Sequence, residues 1–230
     1  MKSGNWRERE EKLLHHIGLY RLSLRRIIER QFFDGGNSGN VIQRLLEDGR
    51  IQARDKGFRG RLSYYQLTLP EARRRGLPEE RAASFGPQAL HTHLAILWFC
   101  CASEVRRRRL EDLELEKLFD KAPPGVAHSA EAGRDPCVFR IHTVGPKTKI
   151  ADLIKRLRGA VAAAPATPTV ADWTQKRKYG FAVLAESDAR CEAIRRSLQK
   201  SGLLSLARIH VERVPGPLTI HEDIHEHENE

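Results

Sequence analysis

Three polar side chains share one face of a short predicted helix within residues 37–68. They are Asn40, Gln43 and Arg44, and residues three and four positions apart are neighbours on a helix. Amide and guanidinium groups form paired hydrogen bonds with the edges of adenine and guanine. This spacing therefore predicts a helix that reads the major groove of duplex DNA.

A basic hairpin is predicted directly after that helix. Residues 51–54 and 62–68 both have the character of strands, and the tip between them carries Lys56, Arg59 and Arg61 together with two glycines. Cationic side chains of this kind bind phosphates or enter the minor groove. The hairpin is therefore a second predicted contact with DNA.

The residues before the helix complete the predicted interface. Asn37 or Ser38 can cap the helix with a side-chain oxygen, because the first amides of a helix lack acceptors within it. Ser38 and the positive helix N-terminus also suit a phosphate oxygen. The predicted DNA-binding residues are Asn37, Ser38, Asn40, Gln43, Arg44, Lys56, Arg59 and Arg61.

Two further helices are predicted in front of the polar-faced helix, and they would position it. Residues 6–20 place apolar side chains at helical spacing, and Ser23 can cap a second helix that ends before residues 34–37. The polar-faced helix is predicted to end at Gly49. Its predicted buried positions are Val41, Ile42, Leu45 and Leu46. Three helices followed by a two-stranded ribbon are the pattern of a winged helix-turn-helix domain.

The last third of the chain predicts a small α/β domain. Residues 138–144, 179–184 and 207–214 have strand composition, and amphipathic helices are predicted between them. This alternation favours a mainly parallel sheet. The predicted class is therefore α+β, with an N-terminal winged helix-turn-helix, a connecting helix and a small α/β domain of βαβαβ order.

Five segments follow from these patterns. They are the winged helix-turn-helix at 1–81, connecting and dimerisation helices at 82–121, a linker or loop at 122–136, the α/β domain at 137–216, and a disordered acidic, histidine-rich tail at 217–230. A homodimer is expected, because two-fold symmetry doubles the contacts of a small DNA-binding domain. The apolar run at 94–99 is the predicted dimer contact.

Charge and composition favour a polyanionic partner in the cytoplasm. The formal charge is +10, and residues 1–81 hold 18 Lys and Arg against 11 Asp and Glu, a surplus of seven.

The four cysteines form no Cys-x-x-Cys motif, which is typical of reduced thiols. The N-terminus lacks a secretory signal, and the longest apolar run, of nine residues, is too short to cross a bilayer. A cytoplasmic protein without membrane contact is predicted.

No catalytic, cofactor or metal site is predicted. The sequence contains neither Gly-x-x-x-x-Gly-Lys-(Ser/Thr) nor Gly-x-Gly-x-x-Gly, two motifs that bind nucleotides. His91 and His93 are two positions apart and would face roughly 200° from one another on a helix. The arginines at 73–75 are either a phosphate-facing cluster or a solvated face. The basic clusters at 147–158 and 176–178 either extend the DNA-binding surface or are ordinary solvated charges, and solvation is the favoured interpretation.

The first 100 residues or so resemble the replication-relaxation family. The residues that carry the resemblance are RLLEDGRI at 44–51, leading to YQLT at 65–68, and LHTHL at 90–94. Proteins of that family come from plasmids and other mobile elements of bacteria. The resemblance implies a winged helix that binds DNA and a part in plasmid replication or DNA relaxation.

The resemblance also implies that some relatives carry a restriction-nuclease-like domain behind the winged helix. Such a nuclease gathers carboxylates and a lysine around a divalent metal. The predicted strands and their ends carry Arg140, His142, Glu186 and Glu212 but no Asp…Glu-x-Lys set, so a domain of that ancestry has lost its catalytic residues. The leading hypothesis is a non-enzymatic, sequence-specific DNA-binding regulator of transcription or plasmid replication. A nuclease or relaxation factor with an unrecognised site, or a winged helix that docks proteins, are the alternatives.

Overall fold

The computed structural model describes residues 6–58, 62–133 and 137–220. The chain divides into an N-terminal unit, residues 1–97 with 217–230, and a C-terminal unit, residues 98–216. Both units combine helices with a sheet, so the predicted α+β class is confirmed. The boundary falls within a helix, after Leu97, and not at residue 81 as predicted.

The N-terminal unit begins with helices that surround a small antiparallel sheet. Its elements are α1 (Trp6–Tyr20), β1 (Ser23–Leu24), α2 (Arg25–Phe32), α3 (Gly39–Glu47), β2 (Ile51–Arg54), β3 (Tyr64–Leu67), α4 (Leu69–Arg74), a 3-10 turn (Glu79–Arg81) and the start of α5 (Pro87–Cys101). The sheet has the order β1-β3-β2, with Ser23 opposite Tyr65 and Ile51 opposite Leu67. Residues 59–61 lie outside the described part of the chain.

The core of this unit lies under α3 and holds it in place. Ile42 and Leu45 are buried, as predicted, and Val41 and Leu46 pack partly buried against the same cluster. Apolar side chains of α1, α2 and the sheet complete the cluster: Leu13, Leu14, Ile17, Ile28, Ile51 and Leu67. The predicted end of α3 is also confirmed, because Gly49 takes the left-handed conformation with φ +64°.

The C-terminal unit is built on a five-stranded sheet covered by helices. Its elements are the end of α5, β4 (Arg107–Arg109), α6 (Asp112–Phe119), β5 (His128–Glu131), β6 (Val138–Val144), α7 (Ile150–Ala163), a 3-10 turn (Ala164–Ala166), α8 (Pro168–Gln175), β7 (Tyr179–Ala185), α9 (Asp188–Ser201), α10 (Leu203–Leu206) and β8 (Arg208–Arg213). The strand order is β4-β5-β6-β7-β8. Strands β6, β7 and β8 are parallel, which confirms the predicted strand-helix-strand-helix-strand unit.

Two strands of that sheet were not predicted. Strand β5 lies between β4 and β6 and pairs antiparallel with both, so the predicted linker at 122–136 contains a strand of the sheet. Strand β4 lies within the segment predicted to be helical at 82–121. Both strands escaped prediction because they bury polar side chains, among them Arg107, Arg109 and His128, where an apolar pattern was expected. Residues 134–136 lie outside the described chain.

The apolar run at 94–99 is buried within the single chain. Leu94, Leu97 and Phe99 are each 0 % exposed, and Trp98 is 8 % exposed. This run therefore presents no surface to a second copy, and its prediction as a dimer contact is wrong.

Of the predicted disordered tail, residues 217–220 are described and Ile220 is buried, while residues 221–230 lie outside the description. Within the described residues, no helix has the length and apolar character needed to span a membrane.

Candidate nucleic-acid interface

Two of the residues predicted to read bases lie on the exposed face of α3. The side chains of Asn40 and Gln43 face solvent. Gln43 Nε2 donates a hydrogen bond to Glu47 Oε1 at 2.8 Å, along the same face of the helix. Breaking this contact with a neighbouring surface residue is inexpensive, because water replaces it. Asn40 and Gln43 are therefore available to a ligand.

Arg44, which its spacing predicted on the same face, is partly exposed but is engaged by α1. Its Nε donates to Glu10 Oε1 of α1 at 2.8 Å, and a second guanidinium nitrogen contacts the same oxygen. The guanidinium also lies 4.8 Å from the centre of the Trp6 ring. The Glu10 side chain is only 7 % exposed, whereas that of Arg44 is 43 % exposed. Arg44 therefore neutralises a buried carboxylate and connects α3 to α1.

The N-terminus of α3 is occupied by a carboxylate of the chain itself. Ser38 is fully buried, and both its hydroxyl and its backbone amide donate to Glu29 Oε1, at 3.0 and 3.2 Å. Burial opposes ionisation of Glu29, but hydrogen bonds from Arg25 and Ser38 outweigh it and lower the pKa of this carboxyl. Ser38 thus holds the α2–α3 turn together, which corrects its prediction as a phosphate contact.

Ser38 is the N-cap residue of α3 but its side chain makes no capping bond, and the oxygen that binds a first-turn amide comes from Asn37, one position earlier. Its Oδ1 accepts a hydrogen bond from the Gly39 amide at 2.6 Å and another from Arg25 Nη2 at 3.0 Å. Asn37 is exposed, but its acceptor oxygen is already engaged. Its role in the described structure is to position the first turn of α3.

The hairpin predicted to bind phosphates is described at its base. Lys56 is exposed in the turn after β2, whereas Arg59 and Arg61 lie outside the described residues. Next to Lys56, the ring of Phe58 lies 5.4 Å from that of Tyr64, which fixes the base of the hairpin. The exposed position of Lys56 agrees with a role at the surface.

The arginines at 73–75 are engaged in ion pairs within the chain. Arg74 and Arg75 both contact the buried carboxylate of Glu71, and Arg73 contacts Glu79. Glu71 also accepts hydrogen bonds from Arg50 at 3.2 and 3.3 Å. Arg75 is therefore held within the unit, whereas Arg73 and Arg74 are paired but remain exposed at its surface.

Sequence reasoning missed the carboxylates that position the interface. Glu10 lies 34 residues from Arg44, and Glu29 lies nine residues from Ser38, so neither pairing follows from helical spacing.

Metal and nuclease chemistry gain no support from the described residues. In that part of the chain, no group of three or more His, Cys, Asp and Glu is placed to hold a metal ion. His91 and His93 are buried, and Glu212 of β8 is bound by Arg107 at 2.9 Å and by His210 at 2.8 Å.

The chain was also compared with known proteins. Comparisons with models of protein families, with curated proteins and with solved structures find no match.

Proposed function

We propose that the N-terminal unit is a winged helix-turn-helix domain that binds duplex DNA, in a protein that acts as a non-enzymatic regulator. The order α1-β1-α2-α3-β2-β3 with a β1-β3-β2 sheet supports this proposal. In winged helices the third helix enters the major groove and the hairpin contacts the backbone. The resemblance to replication-relaxation proteins extends the proposal to transcription or plasmid replication.

The observation that carries the proposal is the exposed polar face of α3. Asn40 and Gln43 lie one turn apart on it, and both side chains can pair with the N6 and N7 atoms of adenine. Helix α3 is anchored to α1 by Arg44 and to α2 by Ser38, so this face is held rigidly. A rigid helix with exposed amides fits base recognition.

The proposed phosphate contacts are fewer than the sequence suggested. Lys56 is exposed, and Arg59 and Arg61 complete the hairpin tip in the sequence. Ser38 and Arg44 are committed to other groups within the chain. Binding should therefore depend on base contacts by α3 and on phosphate contacts by the hairpin.

The test is selection of bound sequences from a random DNA pool, followed by titration of the selected duplex. We expect the double substitution Asn40→Ala and Gln43→Ala to weaken binding at least about tenfold, since each well-paired side chain contributes about 1–3 kcal/mol of discrimination. Gln88→Ala, an exposed residue of α5, is the matched control and should bind as the unaltered protein does. Equal binding by both variants would refute base recognition by α3.

A protein-docking winged helix is the second candidate. It is favoured by one observation: two cationic or polar groups expected at the DNA, Arg44 and Ser38, are used within the chain. This candidate predicts negligible affinity for any duplex at about 0.1 M salt, where a specific DNA-binding protein still binds. The same random-pool selection separates the two, because a docking module would enrich no sequence.

A further inference from the structure

We propose that the C-terminal unit contains a binding site for a small organic anion, with its carboxylate or phosphate on Arg140. The site is a shallow pocket, partly open to solvent, on the face of the sheet that α7 and α8 cover. Its walls include Pro123, Pro124, Ala163 and Val170, and its polar groups include Arg140 and Tyr179. This proposal goes beyond DNA binding and does not depend on it.

Arg140 lacks a counter-ion among the described residues. It lies on the central strand β6, opposite His128 of β5 and Phe181 of β7, and it is half-buried. No hydrogen bond or ion pair joins its side chain to another described residue. A guanidinium withdrawn from water normally has a carboxylate partner, because loss of hydration is otherwise uncompensated.

Arg107, in the same sheet, is a buried arginine that has carboxylate partners and therefore serves as a comparison for Arg140. Its side chain is 2 % exposed, and it contacts Glu131 at 3.4 Å and Glu212 at 2.9 Å. The guanidinium also stacks 4.0 Å from the centre of the Phe99 ring. The fold thus neutralises one sheet arginine fully and leaves Arg140, which faces a cavity, without neutralisation.

The groups around Arg140 add no negative charge. Burial, followed by the positive charge of Arg140, lowers the pKa of His128 to about 3 and that of His142 to about 4, so both imidazoles are neutral. The buried Nε2 atom of His142 has no hydrogen-bond partner among the described residues. No Asp or Glu lines the described cavity. The site therefore has the electrostatic character of an anion-binding pocket whose anion comes from outside the chain.

Tyr179 supplies a second donor for the same anion. Its hydroxyl lies 3.1 Å from His128 Nε2, and burial raises the pKa of Tyr179 to about 12, so the hydroxyl keeps its proton. In the proposed complex the His128 Nε2–H donates to the tyrosine oxygen, and the tyrosine proton is then free to point at the ligand. A guanidinium and a hydroxyl together match a carboxylate or a phosphate oxygen pair.

The walls and size of the cavity limit the ligand. The pocket is shallow and encloses little space, so only the charged head of a ligand enters it and any carbon body stays at its open mouth. The alanine, proline and valine side chains suit a short apolar body. We therefore infer a small carboxylate or a phosphate with a compact apolar group.

The experiment is an NMR titration of the full chain with acetate, propanoate or inorganic phosphate at constant ionic strength. We expect saturable shifts near Arg140 and Tyr179, with a dissociation constant on the order of 1 mM for so small a ligand. Arg140→Gln should weaken binding at least about tenfold, because a charge-assisted hydrogen bond is lost. Arg158→Gln, which alters an exposed arginine of α7, is the matched control and should bind as the unaltered protein does.

Stronger binding of propanoate than of phosphate would assign a carboxylate ligand, and the reverse order would assign a phosphate. If Arg140→Gln does not fold, Tyr179→Phe removes only the hydroxyl and should weaken binding several-fold. In the unaltered protein, bound anion should also raise the pKa values of His128 and His142, since it offsets Arg140. The absence of saturable shifts with all three anions, or unchanged binding in Arg140→Gln, would overturn the site. The double variant at Asn40 and Gln43 should bind the anion normally, so this result is separate from the DNA test.

Discussion

Buried carboxylates decide which arginines of this protein remain available to a ligand. Glu10 engages Arg44, and Glu71 engages Arg50, Arg74 and Arg75. In each case the carboxylate is nearly inaccessible to water and would be unstable as a charge without its guanidinium partners. The number of arginines in a sequence therefore overstates the number that can meet a phosphate.

Glu71 should contribute strongly to stability at neutral pH. We expect Glu71→Gln to lower the free energy of unfolding by about 3 kcal/mol at pH 7, because it leaves several guanidinium groups around an uncharged, buried partner. Glu79→Gln is the matched control, since it alters an exposed ion pair with Arg73 and should change stability by less than about 1 kcal/mol. Urea unfolding of both variants measures the difference.

The effect of Glu71 should disappear in acid. Burial alone would raise its pKa, but hydrogen bonds from Arg50, Arg74 and Arg75 outweigh it and lower the pKa below the ordinary value of 4.5. A depressed pKa in the folded state stabilises the protein above the unfolded-state pKa, and this stabilisation is lost as the pH falls through the folded-state pKa. The stability difference between the two proteins should therefore shrink below pH 4.5. A difference that stays constant to pH 3 would show that Glu71 acts without its charge.

At the scale of elements, the α2–α3 turn is held by one carboxylate. Glu29 Oε1 accepts from Ser38 Oγ, from the Ser38 amide and from Arg25 Nε, so a single oxygen connects the end of α2 with the start of α3. The turn contains glycines and Asp34 at φ +50°, which give the backbone little stability of its own. The orientation of α3 therefore depends on this contact.

Glu29→Ala should loosen the turn and destabilise the N-terminal unit. We expect a loss of about 2 kcal/mol, because two buried donors of Ser38 lose their acceptor. Hydrogen exchange at residues 34–40 should become faster. Glu47→Ala, which removes only a surface contact with Gln43, should stay within about 0.5 kcal/mol. Unchanged exchange in the turn would show that packing alone orients α3.

Elements with regular apolar patterns were predictable from the sequence. The strands at 138–144 and 179–184 and the buried face of α3 at Ile42 and Leu45 followed directly from alternation or helical spacing. Strand β5 was not predicted, because its polar sequence is typical of a loop although His128 and Ser129 are buried in it. Contacts such as those of Glu29 with Ser38 also escaped prediction, because they depend on how two helices are placed in space.

At the scale of the whole molecule, positive charge is not confined to the proposed DNA-binding unit. Residues 98–216 hold 22 Lys and Arg against 14 Asp and Glu, a surplus of eight, compared with seven in residues 1–97. The five acidic residues at 222–230 offset part of this total. A polyanion can therefore be attracted by either unit, and the salt dependence of binding must be assigned to residues by substitution.

The hairpin should account for a defined share of that salt dependence. Each phosphate contact contributes about 0.9 to the slope of log K against log salt concentration, so replacing Lys56, Arg59 and Arg61 with Ala should flatten the slope by up to about 3 units. The control replaces Lys155, Arg158 and Arg196, exposed residues of α7 and α9, and should leave the slope unchanged. Fluorescence anisotropy of the selected duplex across a salt series measures both. A slope that falls in the control and persists in the hairpin variant would transfer the phosphate contacts to the C-terminal unit, because only the residues that displace counterions change this slope.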